Sequence, residues 1–259
     1  SRLTGSTYMS TNNTNAEASS SFTLWDSNVG CDKTWGSNYQ GWMWKRGAGF
    51  DVVTYDGDGV AGRQVPHSLN KTVEMLWVKR RESGSSSHAW TVYHKGLNGG
   101  TNPEQYYAIL NTTAGEVDSN TRWNDTAPTS SHFTLGSSGA TNNSNGTYIA
   151  MLFASVNGIS KVGYYDGSSS EKTVTTGFTP RFIIIKRTNS SGGNWMVLDS
   201  LRGLGSSGND NFLFLESNSA QGVTSSNYIN TTATGFVMPG NASSDINYAS
   251  GKYIYYAHA

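Results

Sequence analysis

Three kinds of side chain in this 259-residue chain could do chemistry: histidines, carboxylates and one cysteine. A hydrolytic centre needs a nucleophile, a base and a group that orients the base, all converging on one reacting atom. His67, His88, His94, His132 and His258 are scattered, and an internal repeat gives a way to test them. A site used twice would place the same residue types at matching positions, yet where the repeats align no histidine meets a histidine; His94 falls opposite Asp199. Surface or strand-end histidines are expected. Carboxylates for glycoside cleavage could come from Asp51, Glu74, Glu104, Glu116 or Asp118, but nothing in their spacing singles out a pair.

The segment Asp56-Gly57-Asp58-Gly59 has the opening of a calcium loop without the further oxygen ligands and the closing Glu. The matching stretch, Asp166-Gly167-Ser168-Ser169, loses the second Asp, so a hairpin turn is expected at both places. Cys31 is alone, which excludes an internal disulfide framework and a multi-cysteine metal site. No catalytic group, metal or cofactor is expected.

Two sets of residues could instead bind. The clusters Lys79-Arg80-Arg81 and Lys186-Arg187 recur, each closing an apolar strand, and could contact a sulfated or phosphorylated glycan. The structural alternative is that long cationic side chains at a strand end reach water and guard an edge. Trp25, Trp35, Tyr39, Trp42 and Trp44 crowd into twenty residues, and the alternation of Trp42 and Trp44 puts both indoles on one face of a strand. Such a surface suits sugar stacking or packing against another subunit. Trp90 and Trp195, equivalent across the repeats, are expected to anchor a core.

The elements that must position these residues follow from composition and repetition. Only 14% of residues are charged, while aromatics reach 12%, a balance that folds rather than stays disordered. Eighteen basic residues balance eighteen acidic ones, so no long-range field attracts a polyanion, and nucleic acid and anionic membranes are poor partners. No apolar run is long enough to insert into a membrane. The chain opens at Ser1 without a charged-then-apolar leader, so export by a signal peptide cannot be read from it.

Shifted by about 105 to 110 residues, the sequence meets itself. Tyr55-Asp56-Gly57 meets Tyr165-Asp166-Gly167, the run from Glu74 to Arg80 meets the run from Arg181 to Arg187, and Trp90 meets Trp195. Leu110 falls on Leu215, Phe133 on Phe236, and Gly146-Thr147-Tyr148-Ile149 on Gly251-Lys252-Tyr253-Ile254. Residues 1–49 fit only the second half of the unit, with Ser21–Leu24 on His132–Leu135. A half repeat cannot bury its own face, so this one must be covered by upstream sequence, by the first full unit or by a neighbouring chain.

Each full unit shows short β-branched and aromatic runs separated by Gly, Asn, Ser and Asp clusters, and helical periodicity is nearly absent. Strands are expected near 50–55, 62–65, 75–80, 89–94, 106–110, 132–135 and 148–153, and again near 161–165, 172–174, 182–186, 195–198, 212–215, 235–238 and 253–256. The fold class is therefore all-β, as tandem antiparallel β-sandwiches of jelly-roll-like kind: a half repeat at 1–49 and full sandwiches at 50–157 and 158–259. The run Phe182-Ile183-Ile184-Ile185, apolar on both faces, is expected as a central strand covered by the opposite sheet and by loops or a neighbour.

The stretch Gly62-Arg63-Gln64-Val65-Pro66-His67-Ser68-Leu69, followed by Met75–Arg81 and Trp90–His94, resembles the repeated C-terminal β domains of tail-fibre and tail-associated proteins of marine bacteriophages, cyanophages especially. The second repeat departs from it, with Thr176-Gly177-Phe178-Thr179-Pro180 in place of the Pro-His-Xaa-Leu stretch. The resemblance covers roughly residues 40–259 and implies a virion-surface, extracellular role in host adhesion, with no catalytic residues to carry over. It brings other virion subunits and host-surface glycan into view as partners and a homo-oligomer, a trimer first, as the assembly. The rival readings are a secreted carbohydrate-binding module of a bacterial surface protein and, behind it, a glycan depolymerase.

Overall fold

The computed structural model of the chain describes residues 7–19, 40–82, 88–205 and 208–259. These residues form an all-β protein whose strand ladders are antiparallel. A short hairpin comes first, β1 (Thr7–Tyr8) paired with β2 (Ala18–Ser19). Eight strands follow: β3 (Phe50–Asp56), β4 (Arg63–Pro66), β5 (Met75–Arg80), β6 (Thr91–His94), β7 (Tyr106–Ile109), β8 (Val117–Asp118), β9 (His132–Leu135) and β10 (Thr147–Phe153). After a tight turn at 156–160 come β11 (Ser160–Asp166), β12 (Lys172–Thr175), β13 (Phe182–Arg187), β14 (Trp195–Asp199), β15 (Asn211–Phe214), β16 (Gly222–Val223), β17 (Asn230–Thr232), β18 (Gly235–Met238) and β19 (Lys252–His258).

Two six-stranded sheets carry the fold, in the orders β3-β10-β5-β6-β7-β8 and β11-β19-β13-β14-β15-β16. Position for position, the two orders are the same. Each large sheet is backed by a small one, β4-β9 in the first half and β12-β18-β17 in the second. The sheets of each sandwich are thus unequal, six strands against two or three.

Side-chain alternation explains how they stack. On β5, Leu76 and Val78 point into the core beneath the small sheet with Tyr55, Val65 and Phe133, whereas Met75 and Trp77 point the other way. On β13, Ile183 and Ile185 likewise share a core with Val174 and Phe236, and Phe182 and Ile184 face outward. The two outward faces meet. Met75, Trp77, Val92 and Phe153 pack with Phe182, Ile184, Val197 and Tyr256 in a single apolar layer, with the Phe153 and Tyr256 rings 5.1 Å apart. The molecule is therefore four layers deep, small sheet, large sheet, large sheet, small sheet. At roughly 1.5–3 kcal/mol per fully buried large apolar side chain, the central layer is as much a core as the two beneath the small sheets. Strand β13 is central, paired with β14 on one side and β19 on the other, and its second face is covered by the other large sheet and, at Phe182, by the unpaired segment that carries Trp42 and Trp44.

All fourteen expected strands are present, with ends moved by a residue or two. Strands β8, β16 and β17, of two or three residues, were not foreseen, nor were the four-residue helices α1 (Asn120–Trp123) and α2 (Gly139–Asn142). Segments that short show no period to read.

Candidate functional site

The residues capable of chemistry are taken up by structure. His94 is fully buried: its Nε2 donates to the Tyr255 carbonyl at 3.1 Å and its Nδ1 accepts from the Gly96 amide at 2.9 Å. Those two bonds fix the neutral Nε2–H tautomer, and burial pushes its pKa down to about 3. Of the two expected placements, surface or strand end, His94 takes the second: it closes β6, buried, and bridges the two halves of the molecule. His67 and His132 meet around Thr129, whose carbonyl accepts from His67 Nε2 at 3.3 Å and whose Oγ1 lies 3.2 Å from His132 Nδ1. The Ser131 hydroxyl is 3.1 Å from the same nitrogen, but among the described residues no carboxylate orients His132 through its other nitrogen.

The candidate carboxylates are similarly engaged. Asp51 accepts from Arg46 Nε, the Val52 amide and both the amide and hydroxyl of Ser68; these donors hold its carboxyl below the usual range against the opposing effect of burial. Glu74 binds Lys95 and the Ser155 amide, and Glu116 accepts from the Asn98 amide. Glu104 is the middle residue of a 3-10 turn at Pro103–Gln105, and Asp118 is an exposed edge residue of β8. In the Asp-Gly-Asp-Gly segment, Asp58 Oδ1 accepts from the Val60 amide and Asn142 Nδ2, while Oδ2 pairs with Arg63 at 3.0 Å. The fully buried Asn142 and Asn247 pin the two equivalent turns, accepting from the Asp58 and Ser168 amides at 3.0 and 2.8 Å. Among the described residues no three His, Cys, Asp or Glu side chains come together as metal ligands do. Cys31 lies outside them.

The basic clusters do something the sequence did not indicate. Lys79 and Lys186 are buried to within 1% and 0% exposure, so neither reaches water at a strand end and neither can meet a ligand from solvent. Both expectations for these two lysines are corrected. The physical reason lies in their partners: Lys79 Nζ donates to the carbonyls of Thr14 at 3.3 Å and Arg80 at 2.9 Å, and Lys186 Nζ to those of Thr113, at 3.1 Å, and Gly193. Burial pushes each ammonium down to about 8. Arg80 pairs with Glu82, Arg81 with Glu17, and Arg187 lies 5.6 Å over the Tyr248 ring.

Thr14 and Thr113 sit at the same place in two hairpins. β1–β2 pairs Thr7 with Ser19 and Tyr8 with Ala18; β7–β8 pairs Tyr106 with Asp118 and Tyr107 with Val117, so nine residues lie between the inner paired residues in both. Trp90 and Trp195 complete the match. Trp90 Nε1 donates to the Ser10 carbonyl at 2.8 Å, and Trp195 Nε1 to the Ile109 carbonyl at 2.9 Å, the fourth residue of each hairpin. The eleventh residue is a glutamate in both, and its amide donates to Arg81 O or Thr188 O at 2.8 and 2.7 Å. Each large sheet thus grips the hairpin that precedes it by a lysine, an indole and a main-chain carbonyl. The sequence signal was there: a lysine and a tryptophan equivalent across repeats.

Of the aromatic group, Trp25, Trp35 and Tyr39 lie outside the described residues. Trp42 and Trp44 do share a face, but on an extended segment without strand pairing. They cover one end of the central layer: each ring packs edge-on against Phe182 at 5.4 Å, Trp44 Nε1 donates to Tyr256 Oη at 3.3 Å, and the Arg202 guanidinium lies 5.2 Å over Trp42. Beside them is an open cleft of about 230 Å³, bounded by Met43, Arg181, Asp199, Leu201 and His258. The structure brings Trp42 and Trp44 together here, some way from the basic clusters. No helix among the described residues is long and apolar enough to cross a membrane.

Compared with known proteins, residues 2–259 match the model of a family described as Domain of unknown function (DUF7483). No curated protein and no solved structure matches the chain.

Proposed function

Taking as premise that the chain belongs to the DUF7483 family, we propose that it is a non-enzymatic structural and adhesive component of a bacteriophage tail fibre or similar virion appendage. The observation that carries this reading is the central apolar layer, which joins the two sandwiches face to face through Trp77, Phe153, Ile184 and Tyr256. Joined over whole sheets, the two sandwiches make a stiff block, as a spacer bearing load between a particle and its host requires. Further support is that the histidines and carboxylates best suited to catalysis are engaged in holding turns and strand ends. The virion setting rests on the resemblance of Gly62–Leu69, Met75–Arg81 and Trp90–His94 to phage tail-fibre domains.

In this reading the neighbours are other virion subunits, and the surface offered to host glycan is the cleft at Trp42 and Trp44, where an indole edge adjoins Arg181 and Asp199. Antibody against the chain, applied to purified particles and viewed by electron microscopy, tests the setting. Label on a tail appendage is expected; particles without the protein would refute the proposal. A glycan array with the purified chain, read beside Trp42→Ala, separates an adhesive surface from a purely structural one. A reducing-sugar assay on the bound glycans would expose a depolymerase.

A further inference from the structure

Among the described residues there are three copies of one hairpin and two of the grip that holds it. The third copy is β15–β16, which pairs Asn211 with Val223 and Phe212 with Gly222, again with nine residues between the inner paired residues. Its fourth, eighth and eleventh residues are Phe214, Asn218 and Gln221, which stand where Ser10, Thr14 and Glu17 stand in the first hairpin and Ile109, Thr113 and Glu116 in the second. Like the second hairpin it is anchored to its own sheet, the Leu215 amide donating to Trp195 O as the Leu110 amide donates to Trp90 O. In the first two hairpins a lysine, an indole and a strand-end carbonyl belonging to the following sheet close over these positions. In the third, among the described residues, none does.

Burial shows the same difference. At positions eight to eleven, where the grip closes, Asn218, Ser219, Ala220 and Gln221 are all exposed, whereas Thr113, Ala114, Gly115 and Glu116 of the second hairpin are all half-buried and in the first hairpin only Asn15 is exposed.

We propose that residues 211–223 are a docking surface for a further sandwich of this same kind, which would grip this hairpin as the second sandwich grips residues 106–118. The incoming sheet would bring a buried lysine to the Asn218 carbonyl and a tryptophan indole to the Phe214 carbonyl, accept from the Gln221 amide at its strand end, and cover the exposed residues 218–221. The occupant is identified by continuity with an interface already made twice, and it holds whether or not the virion reading does.

The test uses register the chain already has. Ala154 follows β10 and Ala259 follows β19, with their amides donating to Gly49 O and Ile159 O, so a second copy of residues 155–259 joined directly after Ala259 repeats the existing connection. In that three-sandwich protein, amide exchange across 211–223 is expected to slow by about tenfold or more relative to the two-sandwich chain. Lys186→Met together with Trp195→Ala, introduced only in the added copy, is expected to restore the fast exchange. Two results would overturn the proposal: an added copy that stays unfolded although residues 1–259 are intact, or one that folds and leaves 211–223 exchanging as before. Self-association of the two-sandwich chain that protects 211–223 by itself would also overturn it, by making a second copy the occupant.

Discussion

At the scale of single residues, the side chains most easily mistaken for a site are the ones that fasten the fold. His94 is buried as the neutral imidazole, so the folded chain binds fewer protons than the unfolded one wherever a free histidine is charged. Its contribution is intact above about pH 6.5 and is lost as the pH falls toward its folded pKa of about 3. Between pH 6.5 and 5, before the carboxylates titrate, unfolding free energy from urea titrations should drop by about 2 kcal/mol, and in His94→Gln the drop should largely vanish. Lys186→Met keeps an unbranched apolar stem but leaves the Thr113 and Gly193 carbonyls without their donor, and should cost roughly 1–3 kcal/mol in the same measurement. Trp90→Ala and Trp195→Ala each remove a fully buried indole from the central layer and should cost about 3–5 kcal/mol apiece. That Lys79 and Lys186 recur could be read in the sequence. That they point inward could not, because lysine burial depends on carbonyls about 65 and 73 residues away.

At the scale of elements, the strands were legible and their covering was not. The period-2 pattern and the Gly, Asn and Ser punctuation located fourteen strands, and the double apolar face of Phe182–Ile185 marked a central one. What lies over its second face is a tertiary matter, and a strand pattern carries no address for its partner sheet. The turn between the first two strands of each sandwich shows a similar limit. The shared Tyr-Asp-Gly was visible, but the buried Asn142 and Asn247 that pin it come from some eighty residues later. Each works beside a pair of stacked tyrosines, Tyr55 with Tyr148 at 5.1 Å and Tyr165 with Tyr253 at 5.0 Å. Gly167 has no room for a side chain, since a Cβ there would lie 2.0 Å from the Tyr248 carbonyl. Gly167→Ala should therefore destabilise the chain by more than 1 kcal/mol, about what Asn247→Ala costs through its lost hydrogen bonds, whereas Gly192→Ala, with open space around it, should be nearly silent in thermal melts.

At the scale of the whole molecule, the central layer ties the stability of one sandwich to that of the other. Calorimetry should give one transition whose van't Hoff and calorimetric enthalpies agree, and Ile184→Asp, which places a charge in that layer, should split or abolish it. The grip between hairpin and following sheet also has a direction. The hairpin always precedes the sheet that holds it: residues 7–19 before Lys79 and Trp90, and residues 106–118 before Lys186 and Trp195. On a ribosome, each sandwich as it emerges finds the hairpin it needs already synthesised, and never waits for sequence still to come. Stacked this way, the fold reads in the same sense as translation.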